Sequence, residues 1–145
     1  GGHLASTLAT HYGEEVYASD TISARPDFSI LIYPVISMED GITHNGSRKN
    51  LLGDNVSADL IDKYSNERQI DSKTPPTFLI HAVDDKAVPV ENSINYLLGL
   101  KENTVPTEMH IYENGGHGFG LGREGTNTYW PESLKRWLIV SNFVQ

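Results

Sequence analysis

Two stretches of apolar, β-branched sequence constrain the fold of this chain more than any other feature. Phe28–Ile36 (FSILIYPVI) and Thr77–Val83 (TFLIHAV) contain few polar residues, and such continuous runs are typical of strands buried on both faces of a parallel sheet. Pro34 is expected to mark the end of the first strand, because proline donates no hydrogen bond to a sheet. A third segment, Thr107–Tyr112, alternates polar and apolar residues as an edge strand does.

Helical patterns separate and follow these strands. Helices are predicted from Gly2 to about Tyr12, after Pro89, and from near Pro131. Apolar residues at helical spacing are expected to form their inner faces: Leu4 and Leu8 in the first, Val90, Ile94, Leu97 and Leu98 in the second, and Leu134, Trp137 and Leu138 in the third. The alternation predicts an α/β fold, with parallel strands flanked by helices.

The segment Met38–Ser72 differs from the rest of the chain because it is polar. Its regular pattern is a short helix that ends near Tyr64, with Ser57 as the N-cap. We interpret residues 38–72 as an excursion over the edge of the sheet or a cap-like insertion. The 145 residues otherwise fit one compact unit, so residues 1–145 are expected to form a single domain.

Composition excludes several classes of function. The formal net charge is -8, which disfavours binding to nucleic acid or to anionic membrane surfaces. The chain has no cysteine, so it has no disulfide, no thiolate metal ligand and no cysteine nucleophile. No apolar run approaches the ~20 residues of a membrane span. Nothing in the sequence indicates an oligomeric state.

Ionisable residues follow two of the predicted strands directly. The first group lies in His81–Pro89 (HAVDDKAVP) and the second in Gly115–Phe119 (GGHGF). Ligands of parallel α/β sheets bind outside the carboxyl ends of the strands, so an acid and a histidine from these loops are expected to meet there. A carboxylate in that position would orient the imidazole and stabilise its protonated form. Asp85 as a plain turn or capping residue, and His117 as a structural loop residue, are the alternatives.

These two loops resemble those of the α/β hydrolases. His81–Pro89 is similar to the signature H-G-x-x-D-x-x-V-P around the catalytic acid, with Ala82 in place of the usual glycine. Gly116–Phe119 resembles the loop of the catalytic histidine, and the order acid then histidine agrees with that superfamily. The resemblance implies that Asp85, and not Asp84, is the triad acid. It implies that His117 is the general base and that neither a metal nor a cofactor takes part.

The first residues of the chain extend the resemblance. Gly1-Gly2-His3 is similar to the end of G-x-S-A-G-G-H, the turn that carries the nucleophilic serine in many esterases. No G-x-S-x-G occurs in the 145 residues. The serine is therefore expected two residues before Gly1, in an N-terminal portion of the domain that this sequence lacks. The fragment alone is then expected to be inactive.

A narrower resemblance concerns the substrate. Arg25–Ser37, Gly46–Gly53 and Gly115–Gly122 resemble bacterial acetylxylan esterases, and within that group the bifunctional acetylxylan/feruloyl esterases. This implies hydrolysis of acetyl and feruloyl esters on xylan or xylooligosaccharides. The sequence does not fix the compartment, although a secreted or periplasmic location agrees with the resemblance. Val88 and Phe119, each close in sequence to a triad member, are the candidates for lining the acyl pocket.

Other interpretations of the chain stay open at this point. It could come from a peptidase of the prolyl-oligopeptidase type, from an arylformamidase, or from a hydrolase-fold binding protein without activity. The remaining histidines are assigned to packing or to the surface: His81 and His3 to packing, and His11, His44 and His110 to the surface. The cationic residues that could touch a sugar are better explained as solvated surface: Arg48, Lys49 and Arg123.

Overall fold

A computed structural model describes residues 1–14, 22–123 and 125–145. Three strands and five helices follow one another along this part of the chain. They are α1 (Gly2–His11), β1 (Ser29–Ile32), α2 (Asn45–Leu52), α3 (Ala58–Tyr64), β2 (Thr77–Ala82), α4 (Glu91–Glu102), β3 (Thr107–Tyr112) and α5 (Trp130–Val140), with 3₁₀ turns at Asn66–Arg68 and Thr126–Tyr129. No helix in this part of the chain is long and apolar enough to span a membrane.

The three strands form one parallel sheet in the order β1-β2-β3. Leu31 pairs with Leu79, and Leu79 pairs with Met109 on the other side. All six residues of β2 are buried, whereas β3 is only half-buried and lies at the outer side of the described strands. The prediction of a buried strand at Thr77–Val83 is confirmed up to Ala82, while Val83 lies beyond the strand and is 59% exposed. The predicted edge position of Thr107–Tyr112 is confirmed among the described strands.

The sheet carries a core on each face. One cluster contains Leu31, Ile36, Leu79, Tyr96, Leu100 and Val105. The other contains Phe78, Ile80, Ala82, Phe119, Trp130 and Trp137. Alternate residues of β2 enter opposite clusters because successive side chains of a strand point to opposite faces. Since α4 packs on one cluster and α5 on the other, the predicted layering of helices on both faces is confirmed.

The first strand is shorter than the apolar run Phe28–Ile36 predicts. It ends at Ile32, because Tyr33 has a positive φ of 37° and Pro34 follows it. Tyr33 still donates its N–H to the Ile80 carbonyl, at 2.8 Å, and the chain then turns away from the sheet. Ile36 is nevertheless fully buried. The end of the apolar run therefore contributes to the core although it is not part of a strand.

The inner faces of two helices differ from the hydropathy pattern. In α1 the buried residues are Ser6 and Ala9, and Leu4 is 75% exposed. In α4 the predicted face is at most half-buried, and Leu98 is 55% exposed. The residues of α4 that are buried instead are Asn92, Ser93, Tyr96 and Leu100. Polar side chains occupy these faces because they have buried hydrogen-bond partners. Helix α5 has the predicted inner face, with Trp137 buried and Leu134 and Leu138 packed beside it.

The excursion contains more helix than its sequence indicates. Helix α3 is confirmed, and the Ser57 hydroxyl accepts a hydrogen bond from the Leu60 N–H at 3.3 Å. Helix α2 was not predicted, because its sequence NGSRKNLL has little apolar periodicity. The excursion closes on itself, since the Ser65 hydroxyl accepts from the Met38 N–H at 3.0 Å. It is anchored to α1 through buried Asn66, whose side-chain amide donates to Ser6 Oγ at 2.7 Å.

Asn92 joins the excursion to both flanking segments. Its Oδ1 atom accepts from the backbone N–H groups of Ile36 and Ser37, at 2.9 and 3.0 Å. Its Nδ2 atom donates to the carbonyls of Ile42 and Pro89, at 2.6 and 3.0 Å. The amide thus uses both of its donors and both of its acceptor positions in a site with no solvent exposure. The exit of β1, the excursion and the start of α4 depend on this one side chain.

We expect Asn92→Asp to lower the free energy of unfolding by roughly 2–5 kcal/mol at neutral pH, because a carboxylate cannot donate to two buried carbonyls. The measurement is urea unfolding of the full-length protein, followed by circular dichroism. Asn95→Asp on the same helix is the matched control. Asn95 is half-buried and its side chain has no hydrogen bond to the described residues, so its substitution should cost less than about 1 kcal/mol. Equal losses in the two variants would contradict the role given to Asn92.

Candidate active site

The loop that follows β2 places Asp85 in a buried position. Asp85 is 6% exposed, and its Oδ1 atom accepts from the backbone N–H groups of Ala87 and Val88, each at 2.9 Å. This small turn closes on the carboxylate and fixes its direction. The other oxygen, Oδ2, faces the loop that follows β3.

Asp85 and His117 form a hydrogen bond between the two loops. The Nδ1 atom of His117 lies 2.8 Å from Asp85 Oδ2, which confirms the prediction that the two side chains approach within hydrogen-bond reach. Because a carboxylate only accepts, Nδ1 carries the proton and donates it. Nε2 is then left with a free lone pair in the neutral ring. His117 itself is 41% exposed, whereas the Asp85 side chain has no exposure.

A glycine-rich backbone and the neighbouring Asp84 position His117. Gly116 and Gly118 have φ values of 60° and 80°, a region that glycine adopts without strain. The Gly116 N–H donates to Asp84 Oδ1 at 2.7 Å. The two adjacent aspartates therefore have different partners, since Asp85 bonds the imidazole and Asp84 bonds the backbone that carries it. Asp84 is exposed, and its carboxylate bonds the Gly116 backbone and not the His117 ring.

His81 lies behind the carboxylate as a neutral, buried imidazole. Its Nε2 atom lies 3.0 Å from the Val88 carbonyl, which only accepts, so Nε2 carries the proton. Its Nδ1 atom lies 2.8 Å from the Ser93 hydroxyl. Nε2 is also 3.3 Å from Asp85 Oδ2. Burial lowers the pKa of His81 below its ordinary value, although the Val88 carbonyl and Asp85 oppose this effect. The prediction of a satisfied, buried histidine is confirmed.

The donors around Asp85 keep it ionised. Burial by itself raises the pKa of Asp85, but the hydrogen bonds from the Val88 N–H, from His117 and from the Ala87 N–H outweigh it. The pKa of Asp85 therefore lies below its usual range. An ionised carboxylate that accepts from an imidazole N–H stabilises the protonated form of that ring.

Tyr33 supports His117 from the end of β1. The two rings meet edge to face with centroids 4.9 Å apart, and the Tyr33 ring also contacts the Phe119 ring at 4.9 Å. The Tyr33 hydroxyl accepts from the Gly120 N–H at 3.3 Å. Tyr33 adopts a positive φ, which is rare for an aromatic residue. A non-glycine residue held in this conformation is a frequent mark of a functional site.

A cavity of about 480 Å³ opens beside His117. It is lined by Gly1, Gly2, Ile32, Tyr33, Val35, His44, Ser47, Ala87, Val88 and His117. Val88 is thus placed at the cavity. Phe119 is not, since it is buried in the core beneath Tyr33. The start of α1, the end of β1, the excursion and the loop after β2 all contribute to this one space.

The other candidate residues form no hydrogen bond or ion pair with Asp85 or His117 among the described residues, although His44 lines the same cavity as His117. His3 bonds the Tyr64 carbonyl at 2.8 Å, and burial lowers its pKa, so it packs as predicted. His11, His44 and His110 are half-buried, not exposed as predicted. Among the cations, Arg48 pairs with Asp40 and Lys49 pairs with Asp54. Arg123 lines a separate cavity of about 440 Å³ together with Asp84.

Sequence reasoning missed three residues of the cavity, namely Tyr33, His44 and Ser47. A signal existed for Tyr33, because an aromatic residue just before Pro34 ends an otherwise aliphatic run. His44 and Ser47 gave only the weak signal of an N-cap pattern. His44 caps α2 by accepting from the Ser47 N–H, and histidine is not among the usual N-cap residues.

The chain is similar to known proteins in sequence. The sequence model of the prolyl oligopeptidase family matches residues 35–140. An acetylxylan esterase of Xylanibacter ruminicola is 41% identical over 126 residues, which cover 84% of this chain and 25% of that protein. An endo-1,4-beta-xylanase B of Butyrivibrio fibrisolvens is 34% identical over 135 residues, which cover 90% and 21%.

A solved structure extends the likeness to three dimensions. The acetyl ester-xyloside bifunctional hydrolase of Caldicellulosiruptor lactoaceticus has a TM-score of 0.92 and 40% identity, and the match covers 99% of this chain and 54% of that one. The chain therefore spans about half of this solved protein and about a quarter of the two other relatives. The family match covers most of the chain, and solved α/β hydrolases share its parallel sheet. The chain belongs to the prolyl oligopeptidase family, and its architecture is part of an α/β-hydrolase fold.

Proposed function

We propose that the protein hydrolyses carboxylic esters through a Ser-His-Asp triad, in which Asp85 is the acid and His117 the general base. The observation that carries this proposal is the 2.8 Å hydrogen bond between Asp85 Oδ2 and His117 Nδ1, beside a cavity. The hydrogen bond fixes the tautomer of His117 that leaves Nε2 as a base. The depressed pKa of Asp85 keeps the acid ionised at neutral pH.

In this proposal the nucleophile is a serine two residues before Gly1. Gly1 and Gly2 line the same cavity as His117, so a residue just before them would reach the imidazole. A Cβ atom on Gly2 would lie 2.7 Å from Pro34, a distance at which the backbones must shift. The absence of a side chain at Gly2 thus lets the start of α1 dock against the end of β1, next to His117. Residues 1–145 alone would lack the nucleophile and would be inactive.

The reaction follows from these positions. His117 Nε2 takes the proton of the serine hydroxyl while the serine oxygen attacks the ester carbonyl. The tetrahedral intermediate collapses, the bond to the alcohol breaks, and His117 returns the proton to the leaving oxygen. Water then attacks the acyl-enzyme by the same steps and releases the acid. Asp85 stays ionised throughout and stabilises the imidazolium.

The substrate we propose is an acetyl ester on xylan or xylooligosaccharides, with feruloyl esters as a second acyl group. Two of the relatives carry names that refer to acetylxylan and to an acetyl ester-xyloside. Val88, at 2% exposure, forms part of the apolar wall that an acetyl group would meet. Phe119 would act on the acyl site only through Tyr33. Residues 1–145 form one partial hydrolase domain in this view, and residues 38–72 cap its site.

A peptidase is the second candidate, because the matching family is that of the prolyl oligopeptidases. Ester and amide cleavage use the same triad chemistry, so the contact between Asp85 and His117 does not distinguish an esterase from a peptidase. The names of the relatives favour an ester.

We expect Asp85→Asn to lower the catalytic constant of the full-length protein by something like ~10⁴-fold on an acetyl ester. The amide would favour the wrong tautomer of His117. Asp84→Asn is the matched control, one residue away. It keeps an oxygen to accept from Gly116, so its loss should stay within about tenfold. A severe Asp84→Asn and a mild Asp85→Asn would show that the acid is assigned to the wrong residue.

A second expectation concerns the bond that is cleaved. The full-length protein should release acetate from acetylated xylooligosaccharides faster than it releases amine from a dipeptide amide, as measured by initial rates at equal substrate concentration. His117→Ala should abolish either reaction, because the serine then has no base. Faster turnover of the amide would favour the peptidase. Full activity of His117→Ala would refute the triad itself.

A further inference from the structure

A histidine and a serine of the excursion line the cavity beside His117, although neither bonds His117 or Asp85. His44 is the N-cap of α2, and Ser47 lies in the first turn of that helix. Both are half-buried residues of the 480 Å³ cavity that also contains His117. They are the polar contribution of residues 38–72 to a cavity whose lining also includes the apolar side chains of Ile32, Val35 and Val88.

The capping contact fixes which nitrogen of the neutral His44 ring carries the proton. Its Nδ1 atom lies 3.2 Å from the Ser47 backbone N–H, which can only donate. Nδ1 must therefore be unprotonated and accept, and Nε2 carries the proton of the neutral ring. The Ser47 hydroxyl lies 2.9 Å from the same Nδ1 atom and donates to it as well. Within residues 1–14, 22–123 and 125–145, His44 Nε2 has no hydrogen-bond partner.

The pair therefore offers one donor and one acceptor side by side. The donor is His44 Nε2–H. The acceptor is Ser47 Oγ, whose hydrogen is already engaged and whose lone pairs remain available. A sugar hydroxyl donates and accepts at the same atom, so adjacent hydroxyls of a sugar ring match such a pair. An aryl or alkyl alcohol has no hydroxyl to offer once it is esterified.

We propose that His44 and Ser47 form a subsite for the hydroxyl-bearing alcohol part of the ester, which is the sugar in an acetylated oligosaccharide. The inference rests on the proposed ester hydrolase function and adds the residues that select its leaving group. The acetyl group then takes the apolar side of the cavity at Val88, and the sugar lies under α2.

A Ser-His contact invites a second interpretation, in which Ser47 is itself a nucleophile and His44 its base. Two features disfavour it. The Nδ1 atom that contacts Ser47 is also bound by the backbone of the cap, and no carboxylate among the described residues bonds His44 to orient it. Catalytic serine-histidine pairs use such a third group. The two interpretations differ in what Ser47→Ala does to a substrate without sugar.

The test compares two esters on the full-length protein. One is an acetylated xylooligosaccharide and the other is 4-nitrophenyl acetate, whose alcohol has no other hydroxyl. His44→Ser removes the imidazole and keeps a good N-cap for α2, and Ser47→Ala removes the hydroxyl and keeps the backbone N–H. His110→Asn is the control, because His110 is a half-buried histidine on β3 that does not line this cavity.

Each variant should raise KM for the oligosaccharide about 3- to 10-fold, the effect of one neutral hydrogen bond, with kcat nearly unchanged. Turnover of 4-nitrophenyl acetate should stay within about twofold. His110→Asn should leave KM for the oligosaccharide and turnover of 4-nitrophenyl acetate unchanged.

Three results would overturn the assignment. Parallel losses on both esters together with an altered circular dichroism spectrum would indicate a structural role, and unchanged KM for the oligosaccharide would remove the subsite. Loss of both activities in Ser47→Ala with an unchanged spectrum would make Ser47 a nucleophile. A wild-type protein without activity on either ester would instead refute the proposed function, and the subsite with it.

Discussion

The rest of the site depends on the hydrogen bonds that stabilise the buried carboxylate of Asp85. A charge without solvent contact is costly unless donors surround it, and here the donors come from three places. Two are backbone N–H groups of its own turn, one is the imidazole of His117, and His81 approaches from behind. The loops after β2 and β3 are thereby held together, so the need to compensate one charge also orients the group that would do the chemistry.

The elements with strong local signals could be predicted from the sequence. Strand β2 is apolar over its length and lies in the centre of the described sheet, and α3 begins at the expected serine cap. The acid and the histidine followed from a rule about strand ends and from motif spacing. In each case the information lies within a few neighbouring residues.

The features of the fold that the sequence did not predict depend on contacts with residues distant in sequence. Helix α4 buries Asn92 and Ser93, which a hydropathy pattern assigns to solvent, because their acceptors and donors lie on Ile42, Ile36 and His81. Strand β1 stops early because Tyr33 turns to meet His117 and Phe119. Helix α2 buries none of its residues, so its sequence lacks the apolar periodicity that predicts a helix.

Asn92 has a consequence for how a ligand enters the cavity. The excursion is fastened to the core at the Ile42 carbonyl, and His44 comes only two residues later. A hinge motion of the segment 38–72 would break the bond between the Asn92 amide and the Ile42 carbonyl and leave these buried polar groups without partners. This cost opposes an opening of the whole segment like a lid. The residues of this segment that line the cavity come after the fastened carbonyl, at the start of α2. Changes of sequence at the start of α2 can therefore alter this wall of the cavity while the Asn92 amide holds the chain that leads into it.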